Sequence, residues 1–373
     1  MTPPTVGIEE EFHLVDPATR RTVDGAEEIA AAVENRGSEV AAQVEREIHM
    51  SMIETASKPC ETLVEIRQQV MALRTELLLA AAEQGQTLAA AGTLPLLGTH
   101  DPQVVRTDRY IQIADLHAGI VNEMSTCGTH VHVEFEDRDL AVAVMNRLRR
   151  WLPALLALSA GSPFWDGRDT GFASYRTVLW GRWPSATLPE PFESAAQYDA
   201  IVEAMITSGA VLDKGQIYWD LRLSVENPTL EFRIADVGLT VDDAVLQAGL
   251  CRALAWTERR AVEAGEPEPF YRPELLRAAK WRAARYGLSD QLLDLDERTQ
   301  VPAATELATL IEHVRPALED SGDYEEIGTL VKQVLTRGNS ASLQRQAYGR
   351  RGRLEDVVDM VAAATRSGIP VQS

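Results

Sequence analysis

The sequence predicts an α+β fold, in which helices cover one face of an antiparallel β-sheet and leave the opposite, polar face open. Five segments alternate apolar residues with acids, histidines or arginines, and a strand with this alternation has one apolar and one polar face. Other segments carry apolar residues at helical spacing. With 45% hydrophobic and 25% charged residues, the composition is that of a globular protein.

The first two predicted strands carry most of the acids. Over 5–16, the polar face consists of Glu9, Glu11 and His13. The other face is apolar except for Glu10. A second alternation over 43–54 places on its polar face Glu45, Glu47, His49 and Ser51.

Three further strands are predicted over 127–135, 217–224 and 229–236. Their polar faces include His130, His132, Arg222, Glu231 and Arg233. In the first of the three, Val131, Val133 and Phe135 face the other way, as a buried core requires.

Helices are predicted over 61–91, 109–125, 139–159, 194–210 and 241–264, and everything after 241 has helical character. Segment 162–191 is rich in Gly, Pro and aromatic residues, which predicts a long irregular and functional loop. Since there is no internal repeat and no clear linker, we expect a single domain over 1–373.

The net charge of -20 argues against nucleic-acid and anionic-membrane partners. It does not argue against ATP, because acids can hold the Mg²⁺ that accompanies nucleotides. The three cysteines are widely spaced, and we see neither a leader peptide nor a run of membrane-spanning length. We therefore expect a reduced, cytoplasmic protein.

One sheet would bring the polar faces together. The residues gathered in this way are Glu9, Glu11, Glu47, Glu54, His130, His132, Arg222, Glu231 and Arg233. Clustered carboxylates repel one another unless cations neutralise them, oxygen ligands suit Mg²⁺ or Mn²⁺, and arginines suit phosphate. One alternating strand alone is more often half-solvated, so the inference of metal-assisted phosphoryl transfer depends on several such strands together. No P-loop and no strand-linked GxGxxG motif is present.

Several motifs, in this order, resemble a known family: VGIEEEF, CGTHVHVEF, SPFWDGRDTGFASYR, YWDLRLS with PTLEFRIAD, and WRAARYGL. From about residue 5 to at least residue 290, the chain is similar to carboxylate–amine ligases of the bacterial glutamate–cysteine ligase type 2 (YbdK-like) group, and we expect the similarity to extend to 365. The resemblance implies a glutamine-synthetase-like catalytic fold, a curved antiparallel sheet whose concave face holds metals and ATP. It also implies ATP-dependent joining of a carboxylate, usually the γ-carboxylate of glutamate, to an amine such as that of cysteine.

The resemblance also implies roles for individual residues. The expected metal ligands are Glu9, Glu11, Glu47, Glu54, His130 and Glu231, with Glu47 and Glu54 alternatively holding the substrate amine. His130 and His132 are expected near the ATP phosphates. The expected catalytic arginines are Arg222, Arg233 and Arg176, the first two also contacting ATP. A homodimer is expected from the resemblance and from the frequency of twofold oligomers.

The chain departs from the family pattern at two places, Leu94 in GTLP and TLPE at 187–190. We expect both to border the substrate pocket, so the identity of the acid and the amine stays open. Three other functions also stay open: a guanidino-kinase-like phosphotransferase, a metal-dependent amide or amidine hydrolase, and a binding module without activity. ATP consumption separates ligase and kinase from hydrolase, and amine-dependent phosphate release separates ligase from kinase.

Overall fold

The structure, a computed structural model, describes residues 2–369. Its strands within this range are β1 (Val6–Val15), β2 (Val44–Arg46), β3 (Met52–Ala56), β4 (Thr87–Ala89), β5 (Gly128–Glu134), β6 (Phe164–Trp165), β7 (Arg168–Asp169), β8 (Leu221–Leu223), β9 (Thr229–Asp236), β10 (Gln291–Asp294) and β11 (Thr299–Pro302). The main sheet has the order β2-β3-β1-β5-β9-β8, with β4 also paired to β1. All these pairings are antiparallel, which confirms the predicted sheet.

Helices surround this sheet. Those of the described range are α1 (Ala26–Asn35), α2 (Leu63–Glu83), α3 (Asp108–His117), α4 (Gly119–Asn122), α5 (Arg138–Leu148), α6 (Leu152–Ser159), α7 (Tyr175–Trp180), α8 (Ala195–Thr207), α9 (Val241–Glu263), α10 (Pro273–Tyr286), α11 (Ala303–Ser321), α12 (Tyr324–Arg337), α13 (Ser340–Arg351) and α14 (Leu354–Thr365). Capping boxes at Thr62 and Thr240 start the two long helices α2 and α9.

The apolar face of the sheet packs against helices α2, α5, α6 and α9. The strands contribute fully buried side chains to this core: Ile8, Val131, Val133, Leu230 and Phe232. Each such side chain contributes roughly 1.5–3 kcal/mol through burial. The predicted covering of one face by helices is therefore confirmed, and the alternation in β5 and β9 holds as expected.

The strand predicted over 43–54 was wrong as one continuous element. The chain forms β2 and β3, and leaves the strand conformation between them. In that break Met50 N–H donates to Gln103 O at 2.8 Å, and His49 forms an isolated bridge with Val104. Contacts with a segment about fifty residues later in the sequence thus interrupt the strand, and local alternation cannot reveal them.

Other boundaries also differ from the prediction. The helix predicted over 61–91 ends at Glu83, because Gly85 adopts a positive φ of 70°, and β4 follows. The strand predicted over 217–224 is reduced to β8. The hairpin β10–β11 interrupts the region after 241 that was expected to be entirely helical. No helix in the part of the chain that the structure describes is long and apolar enough to cross a membrane.

Candidate active site

The strand register brings the polar residues into neighbouring pairs. Glu9 of β1 lies opposite His130 of β5, and Glu11 lies opposite Glu54 of β3. Directly opposed residues of adjacent antiparallel strands share one face of the sheet. These three strands therefore need no loop to bring their acids and histidines together.

His132 of β5 lies opposite Glu231 of β9, and Glu231 lies opposite Arg222 of β8. On its other side His132 faces Gly7, which has no side chain to fill the neighbouring position. The polar row thus extends from β1 to the edge of the sheet at β8. The predicted convergence of the polar faces therefore holds for β1, β3, β5, β8 and β9.

Three carboxylates form one end of this site. One oxygen of each of Glu11, Glu47 and Glu54 falls within 4.8 Å of the others. Burial, and next the charge of Glu47, raises the pKa of Glu11 to about 8. Burial and the neighbouring acids likewise raise the pKa of Glu54 well above its usual value. Such mutual repulsion is relieved when a cation binds between the acids.

Glu9 bridges both histidines of β5. Its Oε2 lies 3.1 Å from His130 Nδ1, and its Oε1 lies 3.0 Å from His132 Nε2. Burial opposes ionisation of Glu9, but the two histidines outweigh burial and hold the pKa of Glu9 below its ordinary value. Glu9 is therefore a carboxylate, able to share its oxygens with a metal ion.

Each of the two histidines has one ring nitrogen that makes no well-aligned hydrogen bond with the described residues. His132 Nδ1 is 2.8 Å from Thr229 Oγ1, which fixes the ring. Within residues 2–369, the buried Nε2 atoms of His130 and His132 have no hydrogen bond of acceptable geometry. Burial, and next Arg233, lowers the pKa of His130 to about 4, so its imidazole is neutral at pH 7. A neutral imidazole is the form that binds metals.

The ligand atoms fall into overlapping groups that could each hold a metal ion. Each group has its ligand atoms within 4.8 Å: Glu9, His132 and Glu231; Glu9, Glu54 and His130; Glu11, Glu47 and Glu54. Glu9 and Glu54 belong to two groups each. The predicted metal-binding residues thus lie together, while their role as ligands stays a prediction.

Glu231 is held by two arginines. Arg222 binds it bidentately, with Nε–Oε2 at 2.7 Å and Nη2–Oε1 at 3.0 Å, and Arg233 Nη1 also donates to Oε1. Burial would raise the pKa of Glu231, but Arg233 and Arg222 lower it below its ordinary value. Glu231 is therefore ionised at neutral pH.

The two arginines differ in their remaining donors. Arg222 Nη1 donates to two carbonyl oxygens, Gly215 O at 3.0 Å and Ile217 O at 2.9 Å, so its guanidinium is engaged at every nitrogen. The buried Nε of Arg233 has no partner within residues 2–369. Arg233 therefore keeps donors for a ligand, whereas Arg222 holds Glu231 and ties the turn before β8 to the sheet.

Arg176 lies beside the site, below its surface. It is 2% exposed, and its guanidinium lies 3.4 Å from Arg233 O. A Cβ at Gly128 would overlap this guanidinium, so the glycine makes room for it. The described residues that line the cavity containing the acids do not include Arg176.

The walls of this cavity include residues that the sequence did not single out. They are Arg109 and Tyr110 of α3, Trp180 and Trp183 of the segment after α6, and Tyr218. The Gly-, Pro- and aromatic-rich composition of 162–191 pointed to that segment as functional. Nothing in the sequence distinguished Arg109, which lies in an otherwise ordinary helical stretch.

The expectation that the two departures border the pocket was wrong. Leu94 is fully buried in a core cluster with Val15 and Val358, and it lines no part of the acid-lined cavity in the described chain. In 187–190, Leu188 belongs to the main core, and Glu190 forms a surface ion pair with Arg149 at 3.5 Å. Apolar packing rather than ligand contact explains the leucine at 94.

Comparisons with known proteins agree with this geometry. The model of the family described as "Glutamate-cysteine ligase family 2 (GCS2)" matches residues 5–360. A Frankia casuarinae protein named "Putative glutamate--cysteine ligase 2-2" is 44% identical over 98% of this chain, which spans 42% of that relative's length. A Frankia alni protein of the same name is 42% identical over 97% of both chains.

The fold also matches a solved structure. The crystal structure of glutamate–cysteine ligase from Francisella tularensis in complex with AMP has a TM-score of 0.69 to this chain. The match covers 98% of this chain and 90% of the other at 11% sequence identity. It shows a shared fold and agrees with the architecture described above.

Proposed function

This chain belongs to glutamate–cysteine ligase family 2, and from that premise we propose that it is an ATP-dependent carboxylate–amine ligase. Its acid substrate is glutamate, activated at the γ-carboxylate, or a similar acid. Its acceptor is the amine of cysteine or of another small molecule. The observation that carries the proposal is the overlap of the three potential metal-binding groups beside Arg233 on one face of the sheet.

The residues present fit Mg²⁺. They offer several carboxylate oxygens, which a hard cation prefers, and their mutual repulsion favours a bound cation. The Nε2 atoms of His130 and His132, which make no well-aligned hydrogen bond within residues 2–369, add nitrogen ligands that suit Mn²⁺ as well. Glu9, Glu11, Glu47, Glu54, Glu231 and one or both histidines would hold the metal. When bound there, Mg²⁺ would neutralise phosphate charge and so offset the repulsion between an anionic acid and ATP.

The reaction needs two transfers. A substrate carboxylate oxygen attacks the γ-phosphorus of ATP, ADP leaves, and an acyl phosphate forms. The amine nitrogen then attacks the acyl carbon, a proton is lost from nitrogen, and inorganic phosphate leaves. This activation is needed because a carboxylate in water does not condense with an amine unaided.

We expect Arg233 to act on the transferring phosphoryl group. It lines the acid-lined cavity, its Nε makes no hydrogen bond within residues 2–369, and arginine binds phosphate oxygens well. Arg222 acts through Glu231, which it orients. We expect Arg233→Gln to lower the rate on the order of 100- to 1,000-fold, the usual effect of removing such a donor. Arg176 supports Arg233, because the guanidinium of Arg176 donates to the backbone carbonyl oxygen of Arg233.

The decisive experiment is a screen of ADP and phosphate release across amino acids and amines, with the product masses measured. A ligase releases phosphate only when both an acid and an amine are present, and yields an amide. ADP release with a phosphorylated product and no amide would instead indicate the phosphotransferase. Amide hydrolysis without ATP would indicate the hydrolase. The homodimer stays a prediction, which light scattering can test.

A further inference from the structure

Arg109 lies where two cavities of the site meet. It lines the cavity that contains Glu11, Glu47 and Glu54, and also the adjoining cavity that contains His132 and Glu231. It comes from α3, whose neighbouring Tyr110 donates its hydroxyl proton to Arg46 O of β2 at 3.3 Å. The first turn of α3 therefore reaches both the β2 edge of the sheet and the middle of the site.

The guanidinium of Arg109 is held in one orientation. Its Nε and Nη2 bind the two oxygens of Asp213 at 2.7 and 3.1 Å. A Cβ at Gly215 would lie 2.7 Å from Nη2, so the guanidinium lies against the backbone of that residue. Within residues 2–369, Nη1 has no acceptor. An arginine oriented by a carboxylate on one edge is prepared to bind an anion on its other edge.

The other two arginines that line the acid-lined cavity are bound to Glu231. Arg222 has donors engaged at all three nitrogens, and Arg233 lies between Glu231 and His130. Among the described residues that line this cavity, Arg109 is the arginine that does not contact Glu231; it binds Asp213 instead. A second anionic group on a substrate would be repelled by the acids, so it needs this cation.

We propose that Arg109 binds the second carboxylate of the acid substrate, the one that does not receive the phosphoryl group. Arg109 thereby makes the site selective for dicarboxylates. The inference rests on the proposed function, since it assigns one carboxylate of the acid to the metals and the phosphoryl group. It narrows the acid substrate to molecules with a second carboxylate at a distance from the first.

The test compares two acids that differ only in the second carboxylate. Glutamate has it, and 4-aminobutanoate keeps the activated carboxylate and the amine without it. Calorimetry with Mg²⁺ and ATP present, and no amine acceptor, measures the affinity for each acid. We expect the wild-type protein to bind glutamate more tightly, and Arg109→Ala to weaken glutamate about 10- to 100-fold, as loss of a charge-assisted hydrogen bond does. Affinity for 4-aminobutanoate should not change.

Two further variants complete the design. Arg109→Lys keeps the charge but loses the two-pronged contact with Asp213, so it should bind glutamate with intermediate affinity. Arg20→Ala removes a comparable surface ion pair, Nε to Asp359 Oδ1 at 3.1 Å, and should leave both affinities unchanged. Melting temperatures identify any variant that fails to fold, in which case Arg109→Lys carries the comparison.

Equal binding of the two acids by the wild-type protein would overturn the inference. Equal weakening of both acids in Arg109→Ala, or a change confined to the affinity for ATP, would overturn it too. The proposed function fails separately: a wild-type protein that selects glutamate through Arg109 but forms no amide with any amine supports this inference and excludes the ligase.

Discussion

Glu10 and Arg74 form a buried ion pair on the helix side of β1. Arg74 Nε and Nη2 donate to the two oxygens of Glu10 at 3.0 and 2.6 Å, and the two residues are 1% and 0% exposed. Arg74 Nη2 also donates to Gly238 O at 2.6 Å. The pair explains why a charged residue occupies the apolar face of this strand. It also fixes the register that places Glu9 and Glu11 on the opposite, ligand-binding face.

We therefore expect Glu10→Gln and Glu9→Gln to act in opposite ways. Glu10→Gln leaves the buried Arg74 without a counter-charge, and should lower the free energy of unfolding by about 3–5 kcal/mol. Glu9→Gln should nearly abolish turnover, because it removes a carboxylate shared by two of the potential metal-binding groups. It should keep the fold, because glutamine still offers a polar side chain to His130 and His132. Denaturant unfolding and ADP release measure the two effects. A Glu10→Gln protein as stable as the wild type would contradict the structural role of the pair.

The stability of the metal-free protein should depend on pH because Glu11 ionises with a raised pKa. Its folded-state pKa of about 8 lies above the ordinary value of 4.5, so the folded state binds its proton more tightly and stability falls as pH rises toward 8. Between pH 6.5 and 8 this loss amounts to about 1–2 kcal/mol. His13 and His130, whose pKa values are lowered to about 3 and about 4, stay neutral in this window.

Glu11→Gln is the matched control for this titration. The variant should lose the part of the decline that Glu11 causes, because glutamine does not ionise. Glu54 and His132, whose pKa values are also raised, add to the decline in both proteins. Urea unfolding at several pH values, with EDTA present, provides the measurement. A slope that is the same in both proteins would show that Glu11 ionises at its ordinary pKa in the folded state.

Nucleotide binding should depend on a divalent cation. The acid-lined cavity brings Glu9, Glu11, Glu47 and Glu54 close to any phosphate that approaches Arg233, so ATP alone meets net repulsion. Calorimetric titration of ATP should show tight binding with Mg²⁺ and weak binding with EDTA. Equal affinity under both conditions would exclude metal-mediated binding of the phosphates.

His132 and Phe135 come from the same segment but should have separate effects. His132→Ala removes a polar-face nitrogen, and should lower kcat or weaken ATP binding with little change in melting temperature. Phe135→Ala empties a position in the main core, where Phe135 is 3% exposed, and should cost about 3–5 kcal/mol of stability. Full activity of His132→Ala would leave this histidine without a functional role.

The sequence by itself determined the faces of the strands. In β5 and β9 the alternation placed His130, His132, Glu231 and Arg233 on one face and their apolar neighbours in the core, as the structure has them. This was predictable because side-chain direction along a strand is a local property with a period of two residues. The motifs in this order added the family and hence the fold.

Only the tertiary structure decided that Glu47 lies close to Glu54. A continuous strand over 43–54 would put these two residues on opposite faces, since seven positions separate them. Contacts of Met50 and His49 with 103–105 break the strand and bring both carboxylates to Glu11. In the same way Arg109 reaches the site because α3 packs beside the turn that contains Asp213, 104 residues later. Alternation describes one strand at a time, whereas these positions depend on long-range packing between segments distant in sequence.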